Sequence, residues 1–265
     1  MHHHEAFDFW VHDDAELSAV LGSAVTSRFD IQQWPLPVVQ RLHCADGATY
    51  IYKVQAPPTV EPTFYERARS SLLPAARVLP VPNGPAALVL EDLRAPCLHD
   101  LELTQSRRLE IVDDVLTRIN QIEGDVPALY DIRTKEGWDA YVELLLTNLR
   151  ALVAAKDRPN FTPEILELVA ERGRAAETYE ALKTPTGYVH NDLLSRNVLV
   201  CEDGYRVLDW QRPIWAPVGI DRATLLESVG MDPRPFVTPG ILMLRWVLRI
   251  GFWPADNPPT RPVIP

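Results

Sequence analysis

Hydrophobic residues change their spacing near residue 93. Before that point they fall in short alternating or continuous runs, the signature of strands. After it they recur every three to four residues over long stretches, the signature of amphipathic helices. In the first part, "DDAELSAVLG" predicts a short helix capped by Asp13 or Asp14 and stopped at Gly22. "PVVQRLHCADGATYIYKV" predicts two strands joined by a tight turn at Asp46-Gly47, with Lys53 in the second strand. "TFYERARSSLL" predicts a helix with Thr63 as N-cap and Phe64, Ala68 and Leu72 on one face. "PAALVLEDL" (85–93) predicts a buried strand ending in acidic residues.

Three long helices are predicted beyond it. "SRRLEIVDDVLTRINQIEG" carries the stripe Leu109, Val112, Leu116, Ile119 and Ile122 and stops at Gly124. "WDAYVELLLTNLRALVAAK" is the second, and "TPEILELVAERGRAAETYEAL", opened by Thr162-Pro163-Glu164, is the third. Strands return only as "NVLV" and "YRVLDW", joined by the turn "CEDG". "GILMLRWVLRIGFW" (240–253) predicts a core helix with Arg245 and Arg249 on its wet face. The class is α+β: a small β-rich lobe over residues 1–92, a connector near 91–95, and a larger, mainly helical lobe over 93–265 that carries one hairpin.

A chain of 265 residues, 46% hydrophobic, can bury a core of this size. Its formal net charge of −10 argues against nucleic acid, whose phosphates are bound by excess Lys and Arg. Cys44, Cys97 and Cys201 are odd in number and widely spaced, with no Cys-x-x-Cys or His cluster, so neither a disulfide framework nor a zinc site is expected. The expected home is a reducing cytoplasm. The longest apolar run is too short and too charged to span a bilayer, and no signal-peptide pattern opens the chain. The opening "MHHHE" has the look of a tag remnant and is left out of site reasoning.

Candidate chemistry centres on "YVHNDLLSRNVLV", where Asp192 is followed by Asn197, and then by Asp209 in "YRVLDW". Phosphoryl transfer from a nucleotide needs a carboxylate to orient or deprotonate the accepting hydroxyl, hard oxygen ligands for Mg²⁺, and a cation on the phosphates. Asp192 can supply the first. Asn197 and Asp209 can supply the second, because the hairpin between them returns Asp209 beside Asn197. Lys53 can supply the third, held by Glu66, thirteen residues later on the following helix. Lysine is scarce, four among 26 basic residues, which singles out one in an ordered strand. Taken one at a time these residues have ordinary structural roles, and Asp46, Asp203 and Asp221 are read as turn or cap residues.

Together the residues resemble the aminoglycoside phosphotransferase and choline kinase group, small-molecule kinases with a two-lobed protein-kinase-like fold. That group's catalytic loop has the form H-x-D-x-x-x-x-N, followed by a hairpin into D-[WFH]-[EDQ]. Here these are His190, Asp192, Asn197 and Asp209-Trp210-Gln211. "YIYKV", "FYERARSSLLPAARVLPVP" and "AALVLEDL" match its lysine strand, glutamate helix, proline-rich return and hinge strand in order, so the likeness covers roughly 38–93 and 186–230. It implies an ATP-dependent, Mg²⁺-requiring phosphotransferase acting on a hydroxyl of a small molecule. Asp192 would be the catalytic base, and Asn197 and Asp209 the Mg²⁺ ligands. Lys53 would lie on the phosphates, with the backbone of Glu91, Asp92 and Leu93 against the adenine edge. His190 would brace the loop, and Asp221 would brace it from a helix start behind.

The chain departs from that pattern in three places. No glycine lies between Gly22 and Gly47, where a glycine-rich phosphate cover is usual. "LLSR" precedes Asn197, adding a cation at Arg196. After "DWQ" about 54 residues remain, ending "NPPTRPVIP", so the acceptor-shaping helices are expected to be abbreviated. The rival from another class is a non-catalytic kinase-fold protein that binds a nucleotide or a partner. A protein kinase is disfavoured by the absence of Arg before Asp192, of Lys two residues after it, and of an activation segment between Asp209 and Asp221.

Overall fold

The computed structural model describes residues 1–4, 9–32, 37–55, 57–82, 84, 86–155 and 162–256. The proline-rich tail (257–265) lies outside the described residues. The fold is of mixed α and β class, strand-rich in its N-terminal part and helical in its C-terminal part. It packs as two compact units. One comprises Met1–Glu102, Thr117–Leu129 and Ser195–Arg212, and the other Leu103–Leu116, Tyr130–Leu194 and Pro213–Pro265. The hairpin expected within residues 93–265 thus packs with the N-terminal strands.

The first unit is built on a five-stranded antiparallel sheet. Its order is Val25–Gln32, Pro37–Cys44, Thr49–Gln55, Ala87–Glu91, Ala76–Leu79. The turn at Asp46-Gly47 forms as expected: Gly47 takes φ 86, a conformation that needs glycine, and its N–H donates to the Cys44 carbonyl. Period-two alternation sorts the Thr49–Gln55 strand. Tyr52 and Val54 point into a core with Leu17, Val38, Leu42 and Val89, and Lys53 is turned to the other face. The Asp14–Leu21 helix opens with a capping box, Asp13 to the Glu16 N–H and Glu16 back to the Asp13 N–H, and ends at Gly22. The hairpin Val198–Cys201/Gly204–Val207 completes this unit.

Several helix boundaries differ from expectation. The helix expected from Thr63 spans Glu61–Arg67, with Pro62 in its first turn, and ends where Arg69 pairs its backbone with Glu123. The same pairing draws residues 120–124 out of the preceding helix, which ends at Ile119 rather than running to Gly124. Gly124 has φ 113, and a Cβ there would meet the Arg67 carbonyl oxygen at 2.1 Å. The buried stripe on that helix is Ile111, Val112, Val115 and Ile119, a shift from the expected set.

The second unit holds the helices Lys135–Ala155, Pro163–Gly173, Ala176–Ala181, Gly219–Ser228 and Pro239–Asp256, with a short antiparallel pair Thr186–Val189/Ile214–Pro217. The third predicted helix is therefore two. It breaks after Gly173 because side chains take the carbonyls that the next turn would use: Trp138 Nε1 donates to Gly173 O at 2.7 Å and Thr178 Oγ1 to Arg172 O at 2.7 Å. Arg245 is buried, not wet. Its Nε donates to Thr224 Oγ1 at 2.9 Å, and its guanidinium pairs with Glu227. Arg249 is exposed as expected.

Gly240 marks a close helix approach: a Cβ there would lie 1.9 Å from the Glu177 carbonyl oxygen. Gly240→Ala is expected to cost about 1–3 kcal/mol by overpacking. Propensity alone predicts the opposite, a gain of about 1 kcal/mol for Ala over Gly in a helix. The sign of the shift in the urea unfolding midpoint separates the two.

Candidate active site

In the first unit, Lys53 is held between two carboxylates. Its Nζ lies 2.6 Å from Glu61 Oε2 and 2.5 Å from Asp209 Oδ1. Gln55 Nε2 also donates to Glu61 Oε2, at 2.9 Å. Burial opposes the charge on Lys53, but the adjacent Asp209 and Glu61 more than offset it and hold the ammonium protonated, its pKa raised. Burial pushes the Glu61 carboxyl up, and Lys53 pulls it back. The Glu61 side chain is 0% exposed and that of Asp209 31%, so Asp209 is the carboxylate of the pair that can meet a ligand from solvent.

The hairpin register sets Val198 opposite Val207, and the Leu208 N–H donates to the Asn197 carbonyl at 2.8 Å. Asn197, buried, is therefore brought next to Asp209, as its spacing in the sequence implied. Asp209 sits at φ 70, a left-handed conformation that aspartate adopts more readily than most residues with a Cβ. Trp210, 0% exposed, stacks on Phe64 with ring centroids 4.4 Å apart. This places the aromatic face of the Glu61–Arg67 helix against the segment that carries Asp209.

The expected partner of Lys53 was Glu66. The structure brings Glu61 instead, and Glu66 is exposed. Both lie on one helix, but five residues at about 100° each turn Glu66 well away from the face that Glu61 presents. The missed signal was Glu61-Pro62, a proline in the first turn that marks an earlier helix start. The hinge strand ends at Glu91, whose N–H donates to Ala75 O at 2.9 Å. Asp92 is fixed through its side chain, with Arg41 Nε at 2.8 Å and Arg94 Nε at 2.5 Å, and Leu93 follows, half-buried.

In the second unit, the loop bearing Asp192 is shaped from behind. Asp221, in the first turn of the Gly219–Ser228 helix, accepts from His190 N at 2.7 Å on one oxygen and from Asn191 N at 2.9 Å on the other. Burial pushes its carboxyl up to about 7, against the pull of the two amides. Asn191 takes φ 69, and the Asp192 N–H donates to His190 Nδ1 at 3.3 Å. His190 is fully buried and Asp192 half-buried. The loop is thus held through backbone amides. Arg196 is exposed, and Trp215 lies under the Arg133 guanidinium, 4.8 Å from its ring centre.

The donor set fits magnesium. Asn197 and Asp209 offer an amide oxygen and a carboxylate, hard ligands of the kind that ion takes while keeping waters and phosphate oxygens for its remaining positions. No group of three or more His, Cys, Asp and Glu able to hold a metal occurs among the described residues. All three cysteines are free thiols. No helix among the described residues is long and apolar enough to cross a membrane.

The family model for the phosphotransferase enzyme family matches residues 36–243. No curated protein matches the chain significantly. Among solved structures, an aminoglycoside-3'-phosphotransferase of type VIII is similar at 18% identity and TM-score 0.57, covering 90% of this chain and 98% of its own. A spectinomycin phosphotransferase, solved with ADP and spectinomycin, is similar at 15% identity and TM-score 0.55, covering 94% and 91%. A choline/ethanolamine kinase family protein from Mesorhizobium loti is similar at 11% identity and TM-score 0.52, covering 89% and 74%. These likenesses carry the two-part kinase-like fold, and the family match carries the class. With a model match over most of its length, this chain belongs to the phosphotransferase enzyme family.

Proposed function

We propose that this protein transfers the γ-phosphate of ATP to a hydroxyl of a small molecule, with magnesium required. The observation that carries the reading is the Lys53 ammonium held between Glu61 and Asp209, with Asn197 next to Asp209 on the same hairpin. A buried, permanently charged cation beside two oxygen donors is what a triphosphate and its metal need. The structure of the similar spectinomycin phosphotransferase, solved with ADP, supports a nucleotide as donor.

In this reading the nucleotide is taken by the lobe of residues 1–92, with its adenine edge against the backbone of Glu91, Asp92 and Leu93, and the acceptor by the lobe of residues 93–265. Lys53 neutralises phosphate charge, and Glu61 holds it in place. Asn197 and Asp209 would hold Mg²⁺, which would supply positive charge to the phosphates. Asp192 orients the acceptor hydroxyl and takes its proton as the oxygen attacks phosphorus. Its loop is fixed by Asp221 and His190 rather than by the substrate, so the base is in place before the acceptor arrives. The three free thiols suit a reducing, cytoplasmic setting. The test is whether magnesium tightens ATP binding, and whether Asp209→Ala removes that tightening.

A further inference from the structure

We infer that Gln211 is a positioning residue for Asp209, setting which oxygen of that carboxylate is presented to the metal. The inference rests on the phosphotransferase reading above. Gln211 Nε2 donates to Asp209 Oδ1 at 2.5 Å, the same oxygen that Lys53 Nζ contacts at 2.5 Å. Two donors on Oδ1 fix the plane of the carboxylate and so the direction in which Oδ2 points. Only the amide nitrogen can make this contact, because a carboxylate offers acceptors alone.

Gln211 is itself anchored on both sides. Its backbone N–H donates to the Asp209 carbonyl at 2.8 Å, closing a tight turn about Trp210 directly after Asp209, which sits at φ 70. Its carbonyl accepts from the Val60 N–H at 3.2 Å, one residue before the helix that begins with Glu61. The neighbouring Trp210 is buried, stacked on Phe64, with Nε1 bonded to the Val207 carbonyl at 2.9 Å. The amide of Gln211 therefore stands on a backbone tied to both of the elements that bring carboxylates to Lys53.

The amide differs in two ways from the acidic residues that D-[WFH]-[EDQ] also admits at this place. Glu61 and Asp209 already outnumber Lys53 within this cluster. A carboxylate at 211 would add a second excess negative charge and have no proton to donate to Oδ1. Glutamine orients the ligand without adding charge.

The test uses the full chain with Gln211→Ala and Gln211→Met. The second keeps the length of the side chain and removes only its polar end, so the question stays open if the first fails to fold. ATP is titrated calorimetrically across a series of magnesium concentrations, and thermal unfolding is followed without ligand. Loss of one hydrogen bond to a charged group predicts that both variants need about tenfold more magnesium for the same tightening, with magnesium-free ATP affinity within about twofold of wild type. Unchanged magnesium dependence in both variants overturns the inference and leaves the functional reading standing. Equal weakening with and without magnesium, accompanied by a lower melting temperature, also overturns it, because that is the effect of a merely structural residue. Wild type that ignores magnesium removes the functional reading, and this inference with it.

Discussion

Asp192→Ala is expected to lower turnover by about 10²–10⁴-fold, the range that a positioned general base contributes. ATP affinity should stay within about twofold of wild type, since binding energy not used in the transition state is unaffected by losing the base. The reason lies in how the loop is built. The bonds that shape it run from the backbone N–H groups of His190 and Asn191 to Asp221 and from the Asp192 N–H to His190 Nδ1. None of these uses the Asp192 carboxylate, so all three bonds survive its removal. The measurement needs an acceptor, to be found by screening aminoglycosides, choline-like amines, amino alcohols and sugars for ADP release. Full turnover by Asp192→Ala would show that the proton leaves by another route.

The second large effect is expected at Lys53. Lys53→Met leaves Glu61, fully buried, and Asp209 with no cation between them. Removing one member of a buried ion pair costs about 3–5 kcal/mol, because the remaining charge is left uncompensated. Burial already pushes the Glu61 carboxyl up, and without lysine nothing of opposite sign pulls it back. A carboxyl whose folded pKa lies above its unfolded value favours the folded state when protonated. The stability lost by the variant, relative to wild type, should therefore be smallest in acid and grow as pH rises through the glutamate range toward the folded value. Urea unfolding at about pH 4, below the ordinary glutamate value, and at about pH 7, above it, reads that trend. A deficit that is equal at both, or larger in acid, would contradict the placement of Glu61 as the buried charge.

The parts of the site that the sequence exposes most clearly are those fixed by local spacing. The Asp46-Gly47 turn fixes the register of two strands, and period-two alternation then turns Lys53 to the face opposite Tyr52 and Val54. The turn "CEDG" closes a hairpin whose register alone brings Asn197 next to Asp209. What stayed hidden depends on contacts between distant residues. The choice of Glu61 over Glu66 follows from where a helix begins, and its end follows from the backbone pairing of Arg69 with Glu123.

Hydrophobic period says nothing of the break between Gly173 and Ala176 either, because the carbonyls there are claimed by Trp138 and Thr178 rather than by a local signal. The pair Thr186–Val189/Ile214–Pro217 is short, and its strands are joined across a long stretch of chain, so neither reads as a strand alone. Arg245 shows the converse error. On an amphipathic helix an arginine reads as wet, yet its charge is met by Glu227 and its Nε by Thr224 beneath the surface.

The phosphotransferase reading stands on a metal–nucleotide site built around Lys53, Asn197 and Asp209, and calorimetric titration of ATP with and without magnesium tests it most directly. Binding that is tightened by magnesium in wild type, and not tightened in Asp209→Ala, is the predicted result. ATP that fails to bind under either condition would contradict it, and would leave a kinase-shaped protein whose ligand is a partner rather than a nucleotide.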